Sequence, residues 1–486
     1  MSQFRNALKQ HFVENGINIA QLSQQCGVNR TTIQHMIGNS TKYKLPGNET
    51  LRKVLKCLPL TPGERNSIEE LFAIEKQGVH NYMSRKYVKR IIEQVASDPG
   101  TQIDSANQHV VNMKGVLETG SNLFMGVNAV NSVVYSVCAE AAGEDNPHLR
   151  LTVPFSYTYL KQILLQLYWE SGGDFAIDHL IIFAKSPQTN ADPNINLKTL
   201  EEISPFTLGA GQKYNANYYY SSLDTGNELL LAMPYYLVTN RRLLLLSSDF
   251  MSAMLINDQQ IIDRHKLVFD EKFGLASVLL QYYDTPLKVL SAYSKNLNPD
   301  NRSFVIEAQP CLLIHITEEM FHRRAHRTFM DMEATLTALM NYIAIVNKLK
   351  GATYFPREGL ESFVASGRLE ILPEAYMEVF SLRERIELLE SFTNNKTVGH
   401  KTQMVVSSKL PISARVNIGL YENSVLRLYS TGHDTFHSCS IEERSIIESF
   451  TDFFESLPDS DMVYSEEETM SVIRYYIDKL KSELGD

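Results

Sequence analysis

The stretch Asn18–Asn39, NIAQLSQQCGVNRTTIQHMIGN, constrains the fold of this 486-residue chain more than any other. Ile19, Leu22 and Cys26 are apolar at spacings of three and four, which predicts one buried stripe on a short helix. Gly27 follows, a residue that turns the chain sharply without a Cβ clash. Val28 is placed to plug the angle between two helices, and Asn29 is a good cap for the second. That second helix would bury Ile33, Met36 and Ile37 and present Arg30, Thr31, Gln34 and His35 to solvent.

Two short helices about a small-residue turn form a helix-turn-helix. Leu22-Ser23, Gly27-Val28 and Ile33 at this spacing resemble the Xre/Cro-type motif of lambda-repressor-like regulators, over about residues 1–75. Ser23 stands where that family usually has Ala, and it is small enough to fit. The resemblance implies a five-helix domain that binds double-stranded DNA. It would set Arg30, Thr31 and Gln34 over major-groove base edges, with His35 on the same face. Asn29 and Thr32 would anchor phosphates at the helix start. Lys42 and Lys44, in the loop beyond the second helix, would add salt-sensitive backbone contacts.

Charge is distributed in keeping with this. The whole chain carries −10, yet residues 1–60 hold eight Lys/Arg against two acids, a net of +6. A basic head on an acidic body suits DNA held at one end. Five scattered cysteines without a CxxC pair suit a reducing compartment. With no signal-peptide core and no apolar run of membrane-spanning length, the expectation is a cytoplasmic protein without membrane contact.

Three segments are expected: a helix-turn-helix domain over 1–78, a helical linker over 79–100, and a body over 101–486. Asp98-Pro99-Gly100 marks the second boundary, and the body splits into two subdomains near 300. The fold class is α+β, an all-α head followed by a larger mixed α/β region. Within the body, strands are expected at Val133–Val137, Leu180–Ala184, Leu229–Met233, Leu243–Ser247, Leu312–Ile316 and Val425–Tyr429. One long helix is expected from Glu318 to Lys350, with capping boxes at Ser440-x-x-Glu443 and Ser465-x-x-Glu468. Segments 243–273 and 425–454 share an order of strand, small-residue turn, strand and capped helix. Such units are common, and coincidence is the preferred reading.

Candidate chemistry in the body is thin. His322 and His326 fall four apart on the expected long helix, but Arg323, Arg324 and Arg327 would repel a metal. His433, Asp434, His437 and Cys439 have ligand-type side chains at a spacing that matches no zinc motif. His265 and Lys266 are adjacent, unlike the His-x-Lys of phospholipase-D-type enzymes. Gly209–Lys213 is too short for a phosphate loop, and Tyr214, Tyr218, Tyr219 and Tyr220 are candidates to line a ligand pocket but read first as sheet surface. No metal, cofactor or catalytic group is assigned. The expected function is a sequence-specific DNA-binding transcription regulator, homodimeric so as to hold two half-sites, through the linker helix or the body. The body would sense a small-molecule or peptide effector. The alternatives are an enzymatic or protein-interaction body on the same head.

Overall fold

The computed structural model describes residues 2–38, 45–96, 117, 122–184, 192–209, 213–221, 232–295, 298, 300–326, 332–371, 376–394, 400–412, 416–431 and 436–485. The chain forms two compact units, Met1–Lys86 and Tyr87–Asp486. It has the α+β architecture expected, a helical N-terminal unit and a larger unit built on two mixed sheets.

The first unit contains α1 (Gln3–Glu14), α2 (Ile19–Cys26), α3 (Arg30–Ile37), α4 (Asn48–Lys56) and α5 (Pro62–Gln77), and the beginning of α6 (Val79–Ala96). Phe4, Leu8, Phe12, Leu22, Ile33, Met36, Leu51, Val54, Ile68 and Phe72 form its core. Five short amphipathic helices share that core, since none could hold itself together alone. Thr61 and Glu64 make the capping box that starts α5. The division between the units falls inside α6, at Lys86/Tyr87. Beyond it Val88, Ile91, Ile92 and Val95 are already buried within the chain. Arg90 pairs with Glu201 at 3.0 Å, both in the second unit.

The second unit starts with β1 (Leu123–Met125), β2 (His148–Leu151), β3 (Ala176–Ala184), β4 (Tyr214–Ser221), β5 (Tyr235–Val238), β6 (Leu243–Leu246), β7 (Ser252–Ile256) and β8 (Ser277–Val278). These make a sheet of order β1-β7-β6-β5-β2-β3-β4-β8. Strands β2, β3 and β4 run parallel and the other pairings are antiparallel. The second sheet has β9 (Gln281–Tyr283), β10 (Arg302–Ile306), β11 (Lys350–Pro356), β12 (His400–Val405), β13 (Val416–Tyr421), β14 (Val425–Thr431) and β15 (Phe436–Ile441). Read from β9, its order is β9-β15-β14-β13-β10-β11-β12. That is the order of the first seven strands again, and the direction at every junction is the same.

Helices follow the equivalent strands in both halves. Val127–Ala142, Thr158–Glu170, Ile195–Gly209 and Gln259–Leu275 come after β1, β2, β3 and β7. Pro286–Lys295 comes after β9, Glu318–Arg324 and Met332–Val346 after β10, Arg357–Ser366 and Leu382–Asn394 after β11, and Arg444–Ser456 after β15. The body is therefore a structural repeat, which corrects the reading of 243–273 and 425–454 as coincidence. Those segments are the matching β6-β7-helix and β14-β15-helix parts of the two repeats. The sheets change over between Val278 and Gln281.

Other expectations give way to the structure for local reasons. Val133–Val137 is helical: Val130, Val133, Val134 and Val137 are buried at a helix period that outweighs the β preference of each valine. Leu312–Ile316 holds a short 3₁₀ turn instead of a strand. The long helix from Glu318 ends at Arg324, where Ala325 turns extended and bridges to Met377. Its far end, Lys350, opens β11. Ser440 sits in β15 opposite Arg427, and Glu443 itself caps the next helix. The second box, Ser465 with Glu468, starts the helix Glu466–Leu484 as expected. The expected strand at Leu229–Met233 falls mostly outside the described residues.

Candidate nucleic-acid interface and body cavity

In the first unit the turn between α2 and α3 is built by three interactions. Gly27 takes the left-handed conformation, φ +65°, that ends α2. Ser23 donates its hydroxyl to the Val28 carbonyl at 2.7 Å, a tie that alanine could not make. The Asn29 side chain accepts from the Thr31 N–H at 3.0 Å and caps α3. The cap occupies the Asn29 carbonyl oxygen, so a phosphate could be met through its amide NH₂.

Helix α3 then divides its side chains. Ile33 and Met36 are buried in the core, while Arg30, Thr31 and Gln34 are exposed and Thr32 and His35 are half-buried. Asn29 is exposed at the helix start. Arg30, Thr31 and Gln34 are thus brought to one solvent face. Lys42 and Lys44 lie outside the described residues.

Arg5 fixes that helix in place, a role no local spacing reveals. It is almost wholly buried on α1. Its Nε meets Glu75 Oε1 at 2.9 Å, and its Nη1 donates to the His35 carbonyl at 3.0 Å near the end of α3. Ser2 also donates to Glu75. One guanidinium therefore links α1, α3 and α5. An arginine fork suits the task because it serves a carboxylate and a helix-terminal carbonyl at once.

In the second unit a cavity of about 320 Å³ opens where β3 and β4 end. Asp192, Asn196, Tyr220, Glu443, Arg444 and Glu448 line it. Asn196 donates to the Ala184 carbonyl at 3.1 Å and accepts from its N–H at 2.9 Å, and so clips the end of β3. It also donates to Ser445 Oγ at 3.2 Å, reaching the other repeat. Tyr220 donates to Glu443 at 2.5 Å. Burial, then the bond to Glu443, push the Tyr220 phenol up, so it stays a donor. Arg444 is balanced by Glu448 at 2.7 Å. The carboxylates and the Tyr220 ring favour a cationic guest over an anionic one. Tyr220 and Glu443 are more than two hundred residues apart in sequence, so the tyrosine run marks one wall of the site and no local pattern supplies the other.

The remaining candidates are dispersed. His322 lies on the helix that stops at Arg324, and His326 lies beyond it, so the two do not share a helix face. Arg323 and Arg324 close on Glu384, at 3.2 and 2.7 Å. His433 and Asp434 lie outside the described residues. Cys439 is buried in β15. His265 contacts its own helix at the Ile261 carbonyl, 2.9 Å, and Lys266 pairs with Asp263 at 2.7 Å. Among the described residues no three His, Cys, Asp or Glu side chains converge as metal ligands. No helix among them is long and apolar enough to cross a membrane.

A buried carboxyl at the end of β10 is the other unusual group. Glu307 accepts from the Tyr429 hydroxyl at 3.0 Å, and burial raises its pKa to about 7.

No protein-family model and no curated protein matches the chain. Several solved structures are distantly similar, two of them as follows. TrmBL2, described as an archaeal chromatin protein with a novel mode of DNA binding, is 10% identical, with a TM-score of 0.21 over 47% of this chain and 87% of that one. Phosphatidylserine synthase of Haemophilus influenzae Rd KW20 is 7% identical, with a TM-score of 0.23 over 80% of this chain and 99% of that one. Both scores are too low to carry an argument about fold or function.

Proposed function

We propose that the chain is a sequence-specific DNA-binding transcription regulator, homodimeric, whose body responds to an effector. The observation that carries this is the division of α3: a capped helix, anchored by Ile33 and Met36, that turns Arg30, Thr31 and Gln34 outward beside a glycine turn. Arg can grip guanine in two places, Gln can do the same with adenine, and the Thr methyl can meet thymine. Asn29 and Thr32 are the phosphate contacts in this reading, His35 flanks the reading face, and Lys42 and Lys44 extend the backbone contacts. The unit Met1–Lys86 carries +6, which supports attraction to phosphate. The effector would be a small cationic molecule in the cavity at Tyr220 and Glu443, and the body is read as a sensor with no reaction of its own.

The test is fluorescence anisotropy of the full chain on DNA from its own upstream region, across a salt series. An Arg30→Ala, Gln34→Ala double variant runs beside the wild type. The expected result is a preference of the wild type for that DNA. The variant keeps salt-sensitive general affinity and loses specific affinity by about 1–3 kcal/mol per base contact. Equal binding of all DNA by both proteins, or no binding by either, would refute the assignment.

A further inference from the structure

The repeat exposes a difference between its two halves. Helices Gln259–Leu275 and Arg444–Ser456 occupy equivalent places after β7 and β15. Aligned from their first residues, Ile261-Ile262 matches Ile446-Ile447, and Phe269 matches Phe454. Ile262 and Phe269 are fully buried, as are Ile447 and Phe454. On the outer side the halves part. Ile446 is 0% exposed and Ile261 is 42% exposed. Phe450 and Phe453 are buried, while His265 and Val268 are only half so. The helix Ile195–Gly209 of the first repeat packs on Arg444–Ser456 of the second. The positions matching the exposed Arg264, Leu267 and Glu271 are Ser449, Asp452 and Ser456, none of them exposed.

The uncovered side has a pattern. Ile261, Arg264, Val268, Glu271 and Leu275 follow one another at spacings of three and four, with Leu267 beside them. That spacing makes one stripe along a helix, turned away from Ile262 and Phe269. Leu267 is 50% exposed and Leu275 is 90% exposed. Asp270 is engaged by Arg150, and Lys266 by Asp263. Arg264 and Glu271 have no ion-pair partner among the described residues.

We infer that a second copy of this chain docks here, helix Gln259–Leu275 against the same helix, antiparallel about a two-fold axis between Leu267 and Val268. The stripe complements itself in that orientation alone. Arg264 meets Glu271 of the partner subunit, Glu271 meets Arg264 of the partner subunit, Ile261 faces the opposite end near Leu275, and Leu267 and Val268 meet Val268 of the partner subunit and Leu267 of the partner subunit across the axis. A patch that complements itself under a two-fold rotation is the requirement of an isologous dimer. A foreign partner would have no reason to match a charge order that reverses on itself. The alternative seam, α6, has its apolar residues Val88, Ile91, Ile92 and Val95 buried within the chain already. The inference deepens the homodimer part of the reading above and is independent of DNA recognition.

The test is sedimentation equilibrium of the full chain, without DNA, for the wild type, Arg264→Glu, Glu271→Arg and the double exchange. The wild type should sediment as a dimer. Each single change sets two like-charge pairs in the seam and should raise the dissociation constant about tenfold or more. The double exchange should restore the dimer, which no loss of folding could imitate. Leu267→Asp should weaken association and leave the circular dichroism unchanged. A monomeric wild type overturns the inference. A dimer that the single changes leave intact overturns it too, and places the seam elsewhere without touching the DNA-binding proposal. Failure of the double exchange to recover would also refute the antiparallel pairing.

Discussion

Replacing Arg5 by Met should loosen α3 specifically. Arg5 and Glu75 are both largely sheltered, with side chains 5% and 19% exposed, and their contact is 2.9 Å. Breaking a buried pair by removing one partner costs about 3–5 kcal/mol, because the other charge is left uncompensated. Glu75 keeps some water and its contact with Ser2, so the cost here is lower, roughly 2–4 kcal/mol. That corresponds to about a 30- to 1000-fold rise in the population of the opened unit. The His35 carbonyl also loses its Arg5 donor, which directs the effect to the end of α3. Amide hydrogen exchange of the full chain, read over residues 30–37, measures it directly. Arg5→Lys should fall between, since lysine keeps the charge and loses the fork. Arg5→Met with Glu75→Leu should recover most of the loss, because a buried pair replaced by apolar groups of similar volume is often neutral. Unchanged exchange in the single variant, or a double variant as loose as the single, would refute the role given to Arg5.

Two further outcomes test other links. Gly27→Ala should destabilise the first unit by about 1–2 kcal/mol, read as faster exchange in α2 and α3. The space around a new Cβ is open, so the cost comes from φ +65° alone, and Gly27→Asn should cost less. Glu307 titrates at about 7 in the fold against an ordinary 4.5, so the folded chain holds a proton that the unfolded chain has released. Stability from this group is therefore full below pH 4.5 and is lost as pH rises to about 7, by an amount on the order of 3 kcal/mol. Glu307→Gln should flatten that part of the difference curve in urea melts across pH, and a parallel pair of curves would contradict it.

Legibility in the sequence followed the range of the interactions. The turn at Gly27, the cap at Asn29 and the box at Ser465 and Glu468 are satisfied within a few residues, and local spacing found each one. The run at Val133–Val137 misled because β-branched side chains suggest a strand while their spacing suggests a helix, and burial on one face decided for the helix. The break after Arg324 depends on a bridge to Met377, fifty residues away. Of the candidate interface, Arg30, Thr31 and Gln34 could be read from periodicity. Arg5 could not, because only the packed structure shows that its charge is buried. The repeat was visible only over 243–273 and 425–454, where both halves keep the same order of strand, turn, strand and capped helix. The remaining equivalence lies in strand order, which side-chain patterns do not record.

The helix Ile195–Gly209 sits in the first repeat but packs on β14, β15 and the helix Arg444–Ser456 of the second. Its apolar residues Leu197, Leu200, Ile203 and Phe206 are all buried in the finished protein. During synthesis the helix leaves the ribosome about 230 residues before that part of its cover exists, while Phe206 already has Phe155 and Tyr214 of the first repeat to stack on. At ordinary elongation rates that is a wait of roughly 10–50 s. The nascent first repeat can assemble its sheet in that interval and still leave the outer face of this helix uncovered. The chain thus has a built-in window in which a chaperone could hold it, and in which two nascent chains could exchange halves.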